Sequence, residues 1–337
     1  MTNSHNGSKP PASTEPPKYY GRLHERLAKG EFACTIELAP PRGAALGAFR
    51  RAARSIRDWV DAANVTDNQS AYARMAGWAG CVALQQEGIE PVMQLQCRDR
   101  NRIALQAELL GAAGIGIPNV LLLTGDHQRF GDHPEAKGVF DMDSIQLVWT
   151  AKTMRKEQKL ISGTKLSVAP KWLIGAVENP FAAPQEWRAE RLGKKIAAGA
   201  EFVQTQLVYD VPMFAKWMQQ VRDLGFDRRC YILPTLCPVR SVRGLEYMQK
   251  ELSGIWIPEA ITKRIRGVEA TDVEEEGLKI TIEAIQQLRE IPGVAGIHVS
   301  MPGQEEHYTR LLIESGVRTA PLSGRDELVA PLVAPRA

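Results

Sequence analysis

The stretch Asn119-Val-Leu-Leu-Leu-Thr-Gly-Asp126-His-Gln-Arg-Phe-Gly-Asp-His133 decides how the chain is read. Residues 119–123 form a short apolar run of the kind a strand buried on both faces shows, and the run stops abruptly at Thr124-Gly125-Asp126. A carboxylate thereby stands at a strand's C-terminal end. Gly125 lets the backbone turn or approach a ligand closely, and a polar loop with no evident hydrophobic purpose follows. Parallel α/β folds keep their chemistry at such strand ends. A lone strand-end aspartate serves equally well as the cap of a turn or helix, so the other strand ends must decide.

Outward from this stretch, strand and helix patterns alternate. Upstream, apolar runs at 31–38, 59–66 and 91–97 predict strands, the first closed by Glu37 and then Pro40-Pro41. Downstream, strands are predicted over 172–178, 202–208, 230–236 and 296–300. Helical periodicity covers 20–29, 46–57, 74–87, 101–114, 144–157 with Asp143 as its cap, 184–198 closed by Gly199, 211–224, 242–252, 258–288 and 305–314. Eight strands, each followed by helix over roughly 290 residues, predict a single (β/α)8 TIM barrel of ordinary size. A doubly wound open sheet is the runner-up, but it normally needs a Gly-rich phosphate turn after its first strand. Glu37-Leu-Ala-Pro-Pro41 cannot form one, because two prolines remove amide donors there. Residues 1–18, rich in Pro, Ser, Asn and Thr, read as a disordered tail. Residues 19–319 read as the barrel, and 320–337, interrupted by Pro321, Pro331 and Pro335, as a second tail.

Composition narrows the class. The 337 residues are 44% hydrophobic and 24% charged, enough for a large core. A formal charge of +3 from 42 basic and 39 acidic residues implies no broad field for nucleic acid or a membrane surface. Five cysteines, without a Cys-x-x-Cys pair, argue against a disulfide framework and for reduced thiols. No apolar run reaches the roughly 18 residues of a membrane span, and no secretion signal opens the chain, so a cytoplasmic location is expected.

On a barrel the strand ends converge on one mouth, which gathers Glu37, Thr66, Gln94, Gln96, Asp126, Glu178, Asn179, Gln206 and, beyond the last strand, Gln304. Any one of these could merely solvate a loop. Gln204 and Gln206 interrupting an apolar strand are harder to dismiss, since an interior glutamine needs partners and a polar ligand would supply them. Two carboxylates and several amides suit a heterocycle with alternating donors and acceptors, and a desolvated carboxyl can serve as a general acid. The basic residues Arg188, Arg191, Lys194 and Lys195 read first as a solvated helix face and second, if directed over the mouth, as a hold for a cofactor phosphate; Arg240 and Arg243 are another phosphate candidate. His127, Asp132 and His133 lie in one loop without the spacing that fixes a metal, and no Ser or Cys sits in a nucleophile turn, so no metal is assigned.

Five motifs in order, Thr-Ile-Glu37-Leu-Ala-Pro-Pro, Gln-Leu-Gln-Cys97-Arg-Asp-Arg-Asn-Arg, Leu-Leu-Thr-Gly-Asp126-His-Gln, Asp-Met-Asp-Ser-Ile-Gln-Leu147 and Ala-Gly-Ala-Glu-Phe-Val-Gln-Thr-Gln206, resemble the methylenetetrahydrofolate reductase family, in particular its short catalytic-domain-only bacterial and archaeal members. The resemblance covers roughly residues 30 to 316. It implies a (β/α)8 barrel with flavin in its mouth and reduction of 5,10-methylenetetrahydrofolate to 5-methyltetrahydrofolate, a step of one-carbon metabolism that feeds methionine biosynthesis. Glu37 matches the family's general acid, Asp126 the carboxylate near flavin and pterin, and Gln206 the amide on the folate, with Gln304 at a further folate-side position. Thr66, Gln94, Thr124, Gly125, Asp126, Asn179, Arg191, Lys194 and Lys195 fall on flavin-contacting positions, for FAD or, as the alternative, FMN. Thr124 and Gln304 stand where better-known bacterial members carry Arg, Gln94 and Asn179 where they carry His, and Gly175 where they carry Tyr. Electrons come from NAD(P)H or, with the nicotinamide side so altered, from a partner protein. The alternative function is a non-reducing folate-binding barrel that acts as a methyl-transfer or partner-docking subunit, and a homo-oligomer is left open. Because few groups outside residues 19–319 can be buried, trimming both tails should leave the melting temperature and activity nearly unchanged; a fall of more than a few degrees in a thermal melt would show that a tail docks.

Overall fold

The computed structural model describes residues 19–252 and 254–322. Eight parallel strands close into one barrel in sequence order: β1 (Ala33–Leu38), β2 (Ala62–Val65), β3 (Pro91–Gln96), β4 (Asn119–Leu123), β5 (Leu173–Glu178), β6 (Phe202–Leu207), β7 (Tyr231–Leu236) and β8 (Gly296–Ser300). The helices are α1 (Arg22–Ala28), α2 (Gly47–Ile56), α3 (Gly77–Gln86), α4 (Arg102–Gly114), α5 (Ser144–Glu157), α6 (Arg188–Ala198), α7 (Val211–Asp223), α8 (Val242–Lys250), α9 (Glu259–Arg266), α10 (Val273–Arg289) and α11 (Tyr308–Glu314). The architecture is the (β/α)8 barrel that the alternation predicts. The expected tail 1–18 and residues 323–337 of the expected tail 320–337 lie outside the described residues; within 320–322, Leu322 N donates to Asp58 O at 2.7 Å.

Strand periodicity sorts the side chains. Outward residues such as Ile36, Val65, Met93, Val120, Ile174, Val203 and Ile297 meet the helices in the main core. Inside, Ala33, Ala62, Val92, Leu121, Leu173, Phe202 and Leu233 fill the lower barrel, and α1 closes it from below with Leu23 and Leu27. Glu90 secures this plug: its carboxylate accepts from the Arg22 and Leu23 amides at the start of α1 and from Asn119 Nδ2. It therefore satisfies donors that a helix start leaves open and sits where the helix dipole favours negative charge. Phe202 also explains Gly175. A Cβ at 175 would lie 2.2 Å from the Phe202 ring, so the aromatic from β6 takes the interior space that a side chain on β5 would otherwise fill.

Two local expectations change. The helix predicted over 258–288 is two helices, α9 and α10, with Gly267 capping the first and residues 267–272 turning the chain so that Ile265 and Val273 can both be buried. The strand predicted over 59–66 is trimmed to Ala62–Val65, because Trp59 N still bonds back to Ile56 O in the end of α2. By contrast α5 spans the predicted residues, and Asp143 forms a capping box with Gln146. Replacing Leu23 by Ala should cost about 2–5 kcal/mol, read from denaturant unfolding, because the side chain is fully buried in the plug. Since α1 lies at the end of the barrel away from the strand C-termini, the folded fraction should keep its activity.

Candidate active site

The barrel interior becomes polar above the plug. Asn64 and Gln204 exchange two hydrogen bonds across the axis, at 2.6 and 3.2 Å, and Gln204 Nε2 reaches Thr35 Oγ1, which also contacts His298 Nδ1 at 3.0 Å. The expectation that a ligand satisfies Gln204 is thereby corrected: its partners are protein groups. Burial lowers the His298 pKa to about 3, so the ring is neutral at working pH.

Above this layer stands Glu37, half-buried at the end of β1. Its carboxylate accepts from Gln94 Nε2 at 3.1 Å, Ser300 Oγ at 3.0 Å and Gln69 Nε2 at 2.8 Å. Burial raises its pKa and outweighs these three donors, which favour the charged form; the negative charge of Asp126 adds to the rise. Asp126 itself is exposed at the mouth, where Ser70 N donates to its Oδ2 at 3.1 Å. The short 3-10 turn Gln69–Ala71 thus touches both carboxylates, through the side chain of one residue and the amide of the next. Asn68, Ser70 and Ala71 all take positive φ to make this turn. Gly125 also has positive φ, and a Cβ there would fall 2.0 Å from Gln96 Oε1, which accounts for glycine before the site aspartate.

The remaining expected residues divide. Thr66 is fully buried and its hydroxyl has no partner among the described residues; Gln304 is 2% exposed with neither of its amide atoms partnered among them. Gln206 is half-buried, beside the register shift between β6 and β7, with Oε1 accepting from Leu207 N. Thr124 is exposed at the end of β4. Asn179 is committed to the protein, donating to Gly254 O and accepting from Phe181 N, each at 3.0 Å. Glu178, expected at the mouth, is buried and lies 2.8 Å from Lys195 Nζ in an ion pair with α6; strand alternation turns it outward while Val177 faces the interior. Lys195 also donates to Val177 O, and burial lowers its pKa against the pull of Glu178. Arg188 is spent on the carbonyls of Ala182 and Ala183. Arg191 and Lys194 are exposed on α6. Arg240 donates to Pro302 O. In the loop after β4, Asp132 accepts from Ala73 N of the loop after β2 and His127 Nδ1 from Arg129 N, so those groups serve the shape of the loops.

Sequence reading missed Gln69, Ser70, Arg98 and Ser300. The signal for the first two was the turn-prone Asp67-Asn68, whose left-handed continuation bends residues 69–71 over the mouth.

The family pattern for methylenetetrahydrofolate reductase matches residues 22–316. Among curated relatives, methylenetetrahydrofolate reductase 2 of Saccharomyces cerevisiae is 26% identical over 222 residues, 63% of this chain and 34% of that protein. The probable methylenetetrahydrofolate reductase (NADPH) of Caenorhabditis elegans is 24% identical over 328 residues, 89% of this chain and 45% of that protein. The chain thus spans less than half the length of these relatives. A solved structure from Clostridium thermocellum, described as binding two copies of 5-methyl-5,6,7,8-tetrahydrofolic acid, superposes with a TM-score of 0.62 at 13% identity, covering 88% of this chain and 97% of that one; the likeness is one of fold. Since the family match runs from α1 through all eight strands into α11, the chain belongs to the methylenetetrahydrofolate reductase family.

Proposed function

We propose that the chain reduces 5,10-methylenetetrahydrofolate to 5-methyltetrahydrofolate, with Glu37 as general acid and Asp126 as the charge that steers the pterin. The observation that carries this reading is the half-buried Glu37 carboxyl, raised in pKa yet held by three donors at the barrel mouth. An acid kept protonated to higher pH can give its proton to N10 of the folate as the bond from N10 to the bridging carbon breaks, leaving an iminium at N5. Asp126, exposed beside it, stabilises that positive charge and accepts from the pterin edge. Hydride addition to the iminium carbon then gives the methyl group. Gln206 and Gln304 are assigned to the folate; the unpartnered amide of Gln304 is suited to a polar ligand.

A flavin, FAD with FMN as the alternative, fits part of the residue set. The hydroxyl of Thr66, the turn at Thr124 and Gly125, and the exposed Lys194 are available to it, and so is Arg191 once it leaves Glu178, 3.9 Å away. Gln94 would contribute to it while donating to Glu37. Asn179 and Lys195 have protein partners and would have to release them. When bound, the flavin supplies the hydride, recharged by NAD(P)H or by an electron-donating protein. The commitments of Asn179 and Lys195 favour, as a second reading, a folate-binding barrel that does not reduce its ligand. Spectral titration with FAD and FMN separates the two: a bound, reducible flavin supports the first, and a protein that binds 5-methyltetrahydrofolate but neither flavin supports the second.

Glu37→Gln removes the proton while keeping the shape. It should lower folate turnover by about 100-fold or more while flavin reduction changes little, measured by stopped flow in the two half-reactions. In the wild-type protein kcat/KM for the folate should fall as pH rises through the raised Glu37 pKa, because the acid is then lost, and Glu37→Gln should abolish that limb. Asp126→Asn should make the flavin easier to reduce and slow hydride delivery to the folate. An unchanged midpoint potential with a lowered thermal melt would reduce Asp126 to a turn cap.

A further inference from the structure

Arg98 lies just beyond β3, only 2% exposed, and its guanidinium joins three loops of the mouth. Nη1 donates to Asp126 O at 3.0 Å and Nη2 to Asn68 O at 3.1 Å. Asp99 aligns the fork, accepting from Nε at 2.7 Å and from Nη2 at 2.8 Å. The same Asp99 Oδ2 accepts from Asn68 Nδ2 and Gln96 Nε2, and Gln96 is the side chain packed beneath Gly125. The backbone adds to the grip: Arg98 N donates to Thr124 O, and Val139 N donates to Arg98 O. One side of this cluster carries Asn68, which opens the turn whose Gln69 and Ser70 contact Glu37 and Asp126. The other side is the main chain of Asp126 itself.

We propose that Arg98 is the positioning residue of the site: by holding Asn68 O and Asp126 O with one rigid guanidinium, it fixes the separation of the general acid from the steering carboxylate. It touches neither reacting atoms nor the acid, and acts through the 69–71 turn. Lysine cannot replace it, because a single ammonium lacks the planar fork that reaches Asp99 and both carbonyls together. The proposal rests on the reaction assigned above, in which Glu37 and Asp126 must act on one folate.

The test uses the full chain and the variants Arg98→Lys, Gln69→Leu and their combination. Arg98→Lys should lower kcat with methylenetetrahydrofolate by on the order of tenfold to a hundredfold, as expected for a misplacement of about 1 Å, while KM moves less. Gln69→Leu should lower it through the same turn, so the double variant should lose no more than the larger single loss. Amide exchange at Ser70 should be at least about tenfold faster in Arg98→Lys, since its hold on Asp126 depends on the turn's position. Losses that multiply, or unchanged exchange at Ser70, overturn the proposal. If Arg98→Lys does not fold, Asp99→Asn, which keeps the arginine and weakens only its alignment, takes its place in the same cycle. A wild-type chain that turns over no methylenetetrahydrofolate refutes the assigned reaction, and Ser70 exchange then still decides the positioning role.

Discussion

Inside a closed parallel barrel every polar side chain must find its partner across the axis, because no sheet edge and no bulk water is at hand. The Asn64–Gln204 pair meets this demand, with Thr35 and His298 completing the layer. These bonds tie β1, β2, β6 and β8 to one another through side chains, beyond the backbone ladder that joins neighbouring strands only. The layer also divides the molecule. Beneath it the interior is apolar apart from Glu90 and Asn119, and α1 plugs it; above it stand the groups that can meet a ligand. A neutral His298 suits this boundary, since a charged ring there would be costly to bury and would pull the Glu37 pKa down.

The acid is poised by opposition. Removal from water favours the protonated carboxyl, and three hydrogen-bond donors favour the carboxylate, with the first effect the larger. Donors that stabilise the anion are useful once the proton has been given away, so the surroundings that hold Glu37 in place also receive its conjugate base. On the opposite side of the mouth the balance differs. The Glu178–Lys195 pair is buried, with Arg191 Nε 3.9 Å from the same carboxylate, and the α6 charge that stands clear of it is Lys194. A buried pair of this kind adds little net stability against its desolvation cost, and its effect here is to fix α6 against the end of β5.

Much of this was legible in the sequence because it is governed by local period. The eight strands, the cap at Asp143 and the placement of Glu37 and Asp126 at strand ends all follow from patterns within a few residues. The motif order pointed to the family for the same reason: the motifs sit at strand ends, and the closed barrel fixes which ends adjoin. What stayed hidden depends on groups distant in sequence. Gln204 read as a ligand contact because its partner Asn64 is 140 residues away. Glu178 read as a mouth residue because the outward turn of the last strand position shows only once Lys195 packs against it. Gly175 read as a lost aromatic, while Phe202, its neighbour in the barrel register, holds the ring.

The loops after β2 and β4 are packed backbone to backbone. A Cβ at Gly131 would lie 1.8 Å from Ala71 O, and Asp132 accepts from Ala73 N, in addition to the bond from Ser70 N to Asp126 and the Arg98 bridge between Asn68 O and Asp126 O. Neither loop therefore has a conformation of its own. In evolutionary terms they form one heritable unit: an insertion in either would displace the other, so across relatives their lengths should change together, and a graft of one loop from a relative would need its companion.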